Sequence, residues 1–174
     1  MGKFDEVCYT FMPEKSMFCD FEVLTDGLSS YLGLVHSIAK QENYPRNLQE
    51  DVLWLCEMSL HVNGSLRGKL AVEKEDLEKL HKLYQEYQAD IKIKHFTLPT
   101  GSYLSCQINI ARHKAKEVVR LLNKIHREEK EVPSILFSFT NLSANFLYIL
   151  SLYVNILDKE ENKLFTSKSY ELKI

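Results

Sequence analysis

The chain reads as an all-α protein, a five-helix bundle of the ferritin-like up-and-down type with an irregular N-terminal arm and a short C-terminal tail. Three observations predict it. The 174 residues hold only 6 Gly and 4 Pro, too few for the many tight turns of an all-β chain. The chain divides into about five helical stretches, and the connections between them are short. The length suits one domain, residues 1–174, able to bury roughly 70% of its unfolded surface.

Taken in order, residues 1 to 24 show no helical period and contain Pro13, so an extended or irregular arm is expected. The first helix is expected to begin after Thr25 or Asp26, either of which can cap it, with Leu28, Leu32, Val35 and Ile38 as its inner stripe. Asn43-Tyr44-Pro45 ends it. Asn47 and Glu50 have the spacing of a capping box for a second helix, lined by Leu48, Val52, Leu55, Met58 and Val62 and stopped at Asn63-Gly64. A third helix is expected from Glu73 to Ala89, with Leu77, Leu80, Leu83 and Tyr87 inward and a charged, solvated outer face. The fourth runs from Ser102 to Lys130, about 40 Å at 1.5 Å per residue. The fifth starts near Pro133-Ser134 and is apolar all round, as a helix in the middle of a bundle or at a subunit interface is. Lys159 onward is polar until Tyr170, Leu172 and Ile174 alternate in a short extended tail.

Composition narrows the function classes. A formal net charge of −2 supplies no whole-protein attraction to nucleic acid or anionic membrane. Cys8, Cys19, Cys56 and Cys106 lack any C-x-x-C spacing and read as reduced packing thiols. The N-terminus lacks the apolar core of a secretion signal, and Ile135 to Leu157 carries Asn141, Asn145 and Asn155, too much polarity for a membrane span. A cytoplasmic protein without nucleic-acid or membrane partners is expected.

Four local patterns bear on chemistry. Arg112, Lys116 and Arg120, spaced i, i+4, i+8, share one face of the fourth helix. That stripe fits either a solvated basic face or a site for phosphate or a neighbouring subunit's acids. Thr100-Gly101-Ser102 at the helix entrance has backbone N–H groups suited to an anion, although a plain N-cap explains the same residues. Asn141 and Asn145, inside the most apolar helix, each need a partner if buried, either a ligand or a neighbouring helix. Glu78-x-x-His81 matches half of a di-iron motif, but such sites need two copies and further carboxylates, so no metal site is expected.

Phe96-Thr-Leu98-Pro99-Thr-Gly101-Ser102 followed by Ile108-Asn-Ile-Ala111-Arg112 resembles the central signature of the trimeric ATP:cob(I)alamin adenosyltransferases. Tyr9-Thr10, Thr25-Asp26-Gly-Leu28 through Gly33, and Asn141 through Leu147 resemble three further family segments in the right order. The resemblance implies a homotrimer of five-helix bundles with active sites between subunits. It implies an intersubunit ion pair of Asp26 with Arg112, and Phe96 as the aromatic residue against the corrinoid. Tyr9, Thr10, Lys116, Arg120 and Asn141 would bind the nucleotide, and the Ser167-Lys168 segment would lie near that site. ATP with magnesium and cobalamin would be the ligands, and a corrinoid reductase or acceptor enzyme a partner. The implied reaction moves the 5′-deoxyadenosyl group of ATP to cob(I)alamin, with no protein nucleophile and hence no catalytic residue in the strict sense.

The sequence also departs from that family. Phe11-Met12-Pro13-Glu14-Lys15 stands where a glycine- and aspartate-rich loop wraps the triphosphate. Lys116, Glu117 and Leu142 replace arginines, Val119 a glutamate, and Asn145 an aspartate. A trimeric member that binds a corrinoid or nucleotide, or serves a structural or interaction role without catalysis, is therefore the alternative function.

Overall fold

A computed structural model describes residues 5–93 and 95–169. It contains α1 (Met17–Gln41), α2 (Arg46–Gly64), α3 (Lys74–Gln88), α4 (Tyr103–Glu128) and α5 (Ser134–Leu157). The expected tail of Tyr170, Leu172 and Ile174 lies outside the described residues. Helix α1 packs between α2 and α4, and α5 packs against α4 and α3, so the helices form a bundle as expected. One core joins them, from Phe21 and Leu32 on α1 through Leu55 on α2, Leu80 on α3 and Ile108 on α4 to Phe146 on α5.

The helix starts are where sequence and structure part. Helix α1 begins eight residues or more before the expected point: Ser16 caps it by accepting from the Phe18 N–H at 3.3 Å, and Asp20 sits in the first turn, where a carboxylate is favourable. The early turns escape a hydrophobic-period reading because two inward positions are polar. Glu22 is buried, and Thr25, also fully buried, donates to the Phe21 carbonyl at 2.7 Å. Thr25 and Asp26 therefore lie inside α1 rather than capping it. The Asn47–Glu50 capping box does not form either. Pro45 precedes α2 without a side-chain cap, and Glu50 instead pairs with Arg46 at 2.7 Å on the exposed surface.

Helix α3 starts as expected, with the Glu73 N–H donating to Asp76 at 2.9 Å. Ser102, not Thr100, caps α4, accepting from the Ser105 N–H at 3.3 Å. Helix α5 is a core helix that is not apolar all round. Ser138, Asn141 and Asn145 form an exposed polar stripe, so the two asparagines need no buried partner; Asn141 donates to the Phe137 carbonyl of its own helix. Its buried hydroxyls, Thr140, Ser143 and Ser151, all turn back to carbonyls of α5, which satisfies them inside an otherwise apolar core.

Candidate functional site

The Phe96–Ser102 loop leads into α4 at one end of the bundle. Pro99 and Gly101 shape it, and Gly101 takes φ +135°, a conformation open essentially to glycine alone. The close approach that Gly101 permits is to a side chain of this chain. Asn155, buried near the end of α5, accepts from the Ser102 N–H at 3.1 Å and donates to the Thr100 carbonyl at 3.0 Å. The Ser102 N–H is thus engaged within the chain rather than open to an anion.

Phe96 is half-exposed at the rim of a cavity of about 240 Å³ that is also lined by Tyr84, Ile91, His95, Tyr148 and Leu152. Its wall is mixed: aromatic and aliphatic side chains offer a flank for a flat ligand, while about half of the exposed wall is polar, with Gln88 and His95 among its residues. Its loop is paired with the C-terminal segment through an antiparallel bridge between Thr97 and Leu164. The Tyr148 hydroxyl lies 3.2 Å from Thr97 Oγ1, and the Tyr148 ring lies 4.6 Å under the Arg112 guanidinium.

Arg112 is half-buried on α4 with that ring as its neighbour, and burial pulls its pKa below the ordinary guanidinium range. Among the described residues it forms no ion pair with a carboxylate. Asp26 is exposed on α1 and lines a second cavity. The two residues do not meet within one chain. Lys116 and Arg120 are exposed, one and two turns along α4 from Arg112. The bond from Ser105 to the Ser151 carbonyl, 2.9 Å, fixes the antiparallel register of α4 and α5 and sets exposed Asn141 level with Lys116. Glu117 leans back one turn, its carboxylate 3.7 Å from His113 Nε2.

The second cavity, about 470 Å³, lies between the N-terminal arm and helices α1 and α2, with Tyr9, Met12, Glu22, Asp26, Leu60 and Asn63 in its wall. Partial burial, and then a hydrogen bond to Glu22, raise the Tyr9 hydroxyl above the ordinary phenol range. Thr10 is exposed beside it. The segment that replaces the expected glycine-rich loop is fastened to its own bundle by Arg67. That guanidinium donates to both oxygens of Glu22, at 2.7 and 3.0 Å, and to both of Glu14, at 2.8 and 3.0 Å. Phe11 covers it, with the guanidinium carbon 4.0 Å from the ring centroid. Two forked carboxylates and an aromatic lid use the planar geometry that distinguishes Arg from Lys.

Sequence reading identified Phe96, Arg112, Lys116, Arg120, Asn141, Tyr9, Thr10 and Asp26, and the structure distributes them. Phe96 and Arg112 meet through Tyr148; Arg112, Lys116, Arg120 and Asn141 follow one helix pair; Tyr9, Thr10 and Asp26 lie apart, by the arm. The reading missed Arg67 and Glu22, whose partners are 45 and 53 residues apart in sequence and follow no period. It also missed Asn155, whose one signal is an amide at an inward position of an apolar helix, opposite a required glycine.

The family model for cobalamin adenosyltransferase matches residues 11–154. Among solved structures, the chain resembles a phenylalanine-to-alanine variant of a PduO-type ATP:corrinoid adenosyltransferase from Lactobacillus reuteri, complexed with cobalamin and ATP. The TM-score is 0.78 and the identity 15%, over 88% of each chain. An arginine-to-lysine variant of the Lactobacillus reuteri PduO-type enzyme, complexed with ATP, matches at TM-score 0.75 and 17% identity, over 87% of this chain and 88% of that one. No curated protein matches in sequence. At these identities the structural likeness speaks for the fold, and the family match, covering most of the chain, speaks for descent: the chain belongs to the cobalamin adenosyltransferase family.

Proposed function

We propose that this protein transfers the 5′-deoxyadenosyl group of ATP to the cobalt of cob(I)alamin, as a cytoplasmic homotrimer with ATP bound as its magnesium complex. The observation that carries the proposal is the pairing of a cavity that has an aromatic and aliphatic flank at Phe96 with the cationic line of Arg112, Lys116 and Arg120 on the adjoining helix. An apolar ledge for a corrinoid and cations for a triphosphate are what the transfer needs. Reduced cobalt is itself the nucleophile, attacking the ribose 5′ carbon while the C5′–O bond breaks and triphosphate leaves with that electron pair. The protein aligns the two, excludes water and stabilises the departing charge.

On this reading Phe96 faces the corrinoid, while Lys116 and Arg120 hold phosphate, with Asn141 beside them and Tyr9 and Thr10 contributed by the arm. Among the described residues Arg112, half-buried, meets no carboxylate and Asp26, exposed, meets no cation; the two form their ion pair across a subunit boundary. A monomeric mass in solution would count against that assembly, as would an unchanged trimer in the Asp26→Ala protein. A reductase or acceptor enzyme would deliver or collect the corrinoid.

A second reading is favoured by one observation. The arm that would close over triphosphate has its Glu14 and Phe11 locked on Arg67, so a family member that binds ligands without turning them over also fits. Equilibrium binding separates the roles. Lys116→Ala should weaken ATP alone and Phe96→Ala should weaken the corrinoid alone. Equal effects on both ligands, or none, would contradict the assignment.

A further inference from the structure

The C-terminal segment is built into the loop that carries Phe96. The Leu98 N–H donates to the Lys163 carbonyl and the Phe165 N–H to the Phe96 carbonyl, each at 2.8 Å. These two bonds form a short antiparallel ladder around Thr97 and Leu164, and Phe96 is itself one of the bonded residues. Isolated ladders of this size are marginal in water and need an anchor.

The anchor is a pair of amides. Asn155, 2% exposed, uses its second N–H to donate to Asn162 Oδ1 at 2.8 Å, besides its bonds to Thr100 and Ser102. Asn162 in turn donates to the Leu152 carbonyl at 3.1 Å. One buried side chain therefore holds the turn before α4 and the segment after α5 together. This arrangement requires the glycine opposite it, because a Cβ at Gly101 would fall 2.0 Å from Asn155 Oδ1.

We propose that Asn155 and Asn162 are positioning residues for the corrinoid: they clamp the C-terminal segment onto the Phe96 loop and so set where Phe96 stands at its cavity. Neither amide lines that cavity. Their influence passes through the backbone of residues 96–98, and the proposal rests on reading Phe96 as the corrinoid-facing residue.

Asn162→Ala tests it, because this change removes both bonds of Asn162, to Asn155 and to the backbone carbonyl of Leu152, without altering any side chain that lines the cavity. Amide hydrogen exchange at Leu98 and Phe165 should quicken about tenfold, while mid-helix amides of α4 keep their protection. The Kd for aquacobalamin should rise about tenfold and the Kd for ATP should stay unchanged. Asn162→Asp, which keeps the acceptor for Asn155, should fall between wild type and the alanine variant. In a Phe96→Ala background, Asn162→Ala should have no further effect on corrinoid binding.

Unchanged exchange would overturn the clamp itself. A loss of ATP and corrinoid affinity in parallel, or an undiminished effect in the Phe96→Ala background, would overturn the positioning role. A wild-type protein that binds no aquacobalamin would overturn the corrinoid reading and the positioning role with it. The exchange comparison, which needs no ligand, would still decide whether the clamp exists.

Discussion

Gly101→Ala should be among the most damaging small substitutions in the molecule. The added Cβ would lie 2.0 Å from Asn155 Oδ1 and 2.4 Å from both Cγ and Nδ2, all closer than any non-bonded contact allows. Two costs follow. Alanine at φ +135° is strained by about 1–3 kcal/mol. Asn155 cannot move aside without breaking its bonds to Ser102, Thr100 and Asn162, at about 1 kcal/mol each. The total is about 4–6 kcal/mol, and at roughly 2–4 °C per kcal/mol it lowers Tm by about 8–24 °C for a chain of this size. Urea denaturation followed by far-ultraviolet circular dichroism reads the loss directly. In an Asn155→Ala background the clash is gone, so Gly101→Ala should cost only its backbone strain, about 1–3 kcal/mol. A loss below about 1 kcal/mol, or equal losses in the two backgrounds, would refute the steric argument.

The arm gives a pH prediction. Arg67, with Ser16 assisting, holds the Glu14 carboxyl below the usual carboxylate range. A depressed folded pKa means the tether is complete above the ordinary carboxylate pKa and is lost as pH falls through the lowered value. Limited proteolysis within residues 5–13 should therefore accelerate on acidification, and in the Glu14→Gln protein it should be fast already at neutral pH; slow cleavage there would contradict the tether. Asp51 runs the other way. Its burial raises the carboxyl pKa despite the opposing 2.8 Å hydrogen bond from Tyr87. The native state keeps that proton where the unfolded chain has lost it, so this group's contribution to stability declines as pH rises from about 4 through the raised value and is level beyond it. Asp51→Asn should remove this decline from the urea midpoints, and an unaltered pH profile would count against it. Lys116→Ala should weaken ATP binding about 10- to 100-fold with no change in Tm, since the side chain is exposed and a charge-assisted phosphate contact is worth about 1.5–3 kcal/mol.

The fold was legible because three of the five helices announce themselves through an apolar stripe and the fifth through an apolar run; the stop signals Tyr44-Pro45 and Gly64 fall close to the observed ends, and Pro133 at the observed start of α5. What misled the reading was polarity in the core. Glu22 and Thr25 hid the first two turns of α1, and their burial makes sense only with Arg67 and the α1 carbonyls in place. Asn141 and Asn145 attracted attention as amides in an apolar helix, yet they face solvent, while Asn155 carries the buried bonds. A single sequence does not distinguish these cases, because the exposed stripe of α5 is set by which side α3 and α4 cover. The cationic face of α4 was legible because it follows one helix, at Arg112, Lys116 and Arg120. The site was not legible where it depends on contacts distant in sequence, as with Tyr148 beneath Arg112, or Arg67 gripping the arm.

Anaerobic mixing of the purified protein with ATP, magnesium and chemically reduced cobalamin, followed by absorbance, tests the central claim most directly. The account predicts loss of the cob(I)alamin spectrum with growth of the adenosylcobalamin spectrum, and a much slower conversion in the Lys116→Ala protein. An unchanged spectrum from a folded protein, beside an adenosyltransferase that converts the same mixture, would contradict it and leave a ligand-binding family member with its arm closed on Arg67.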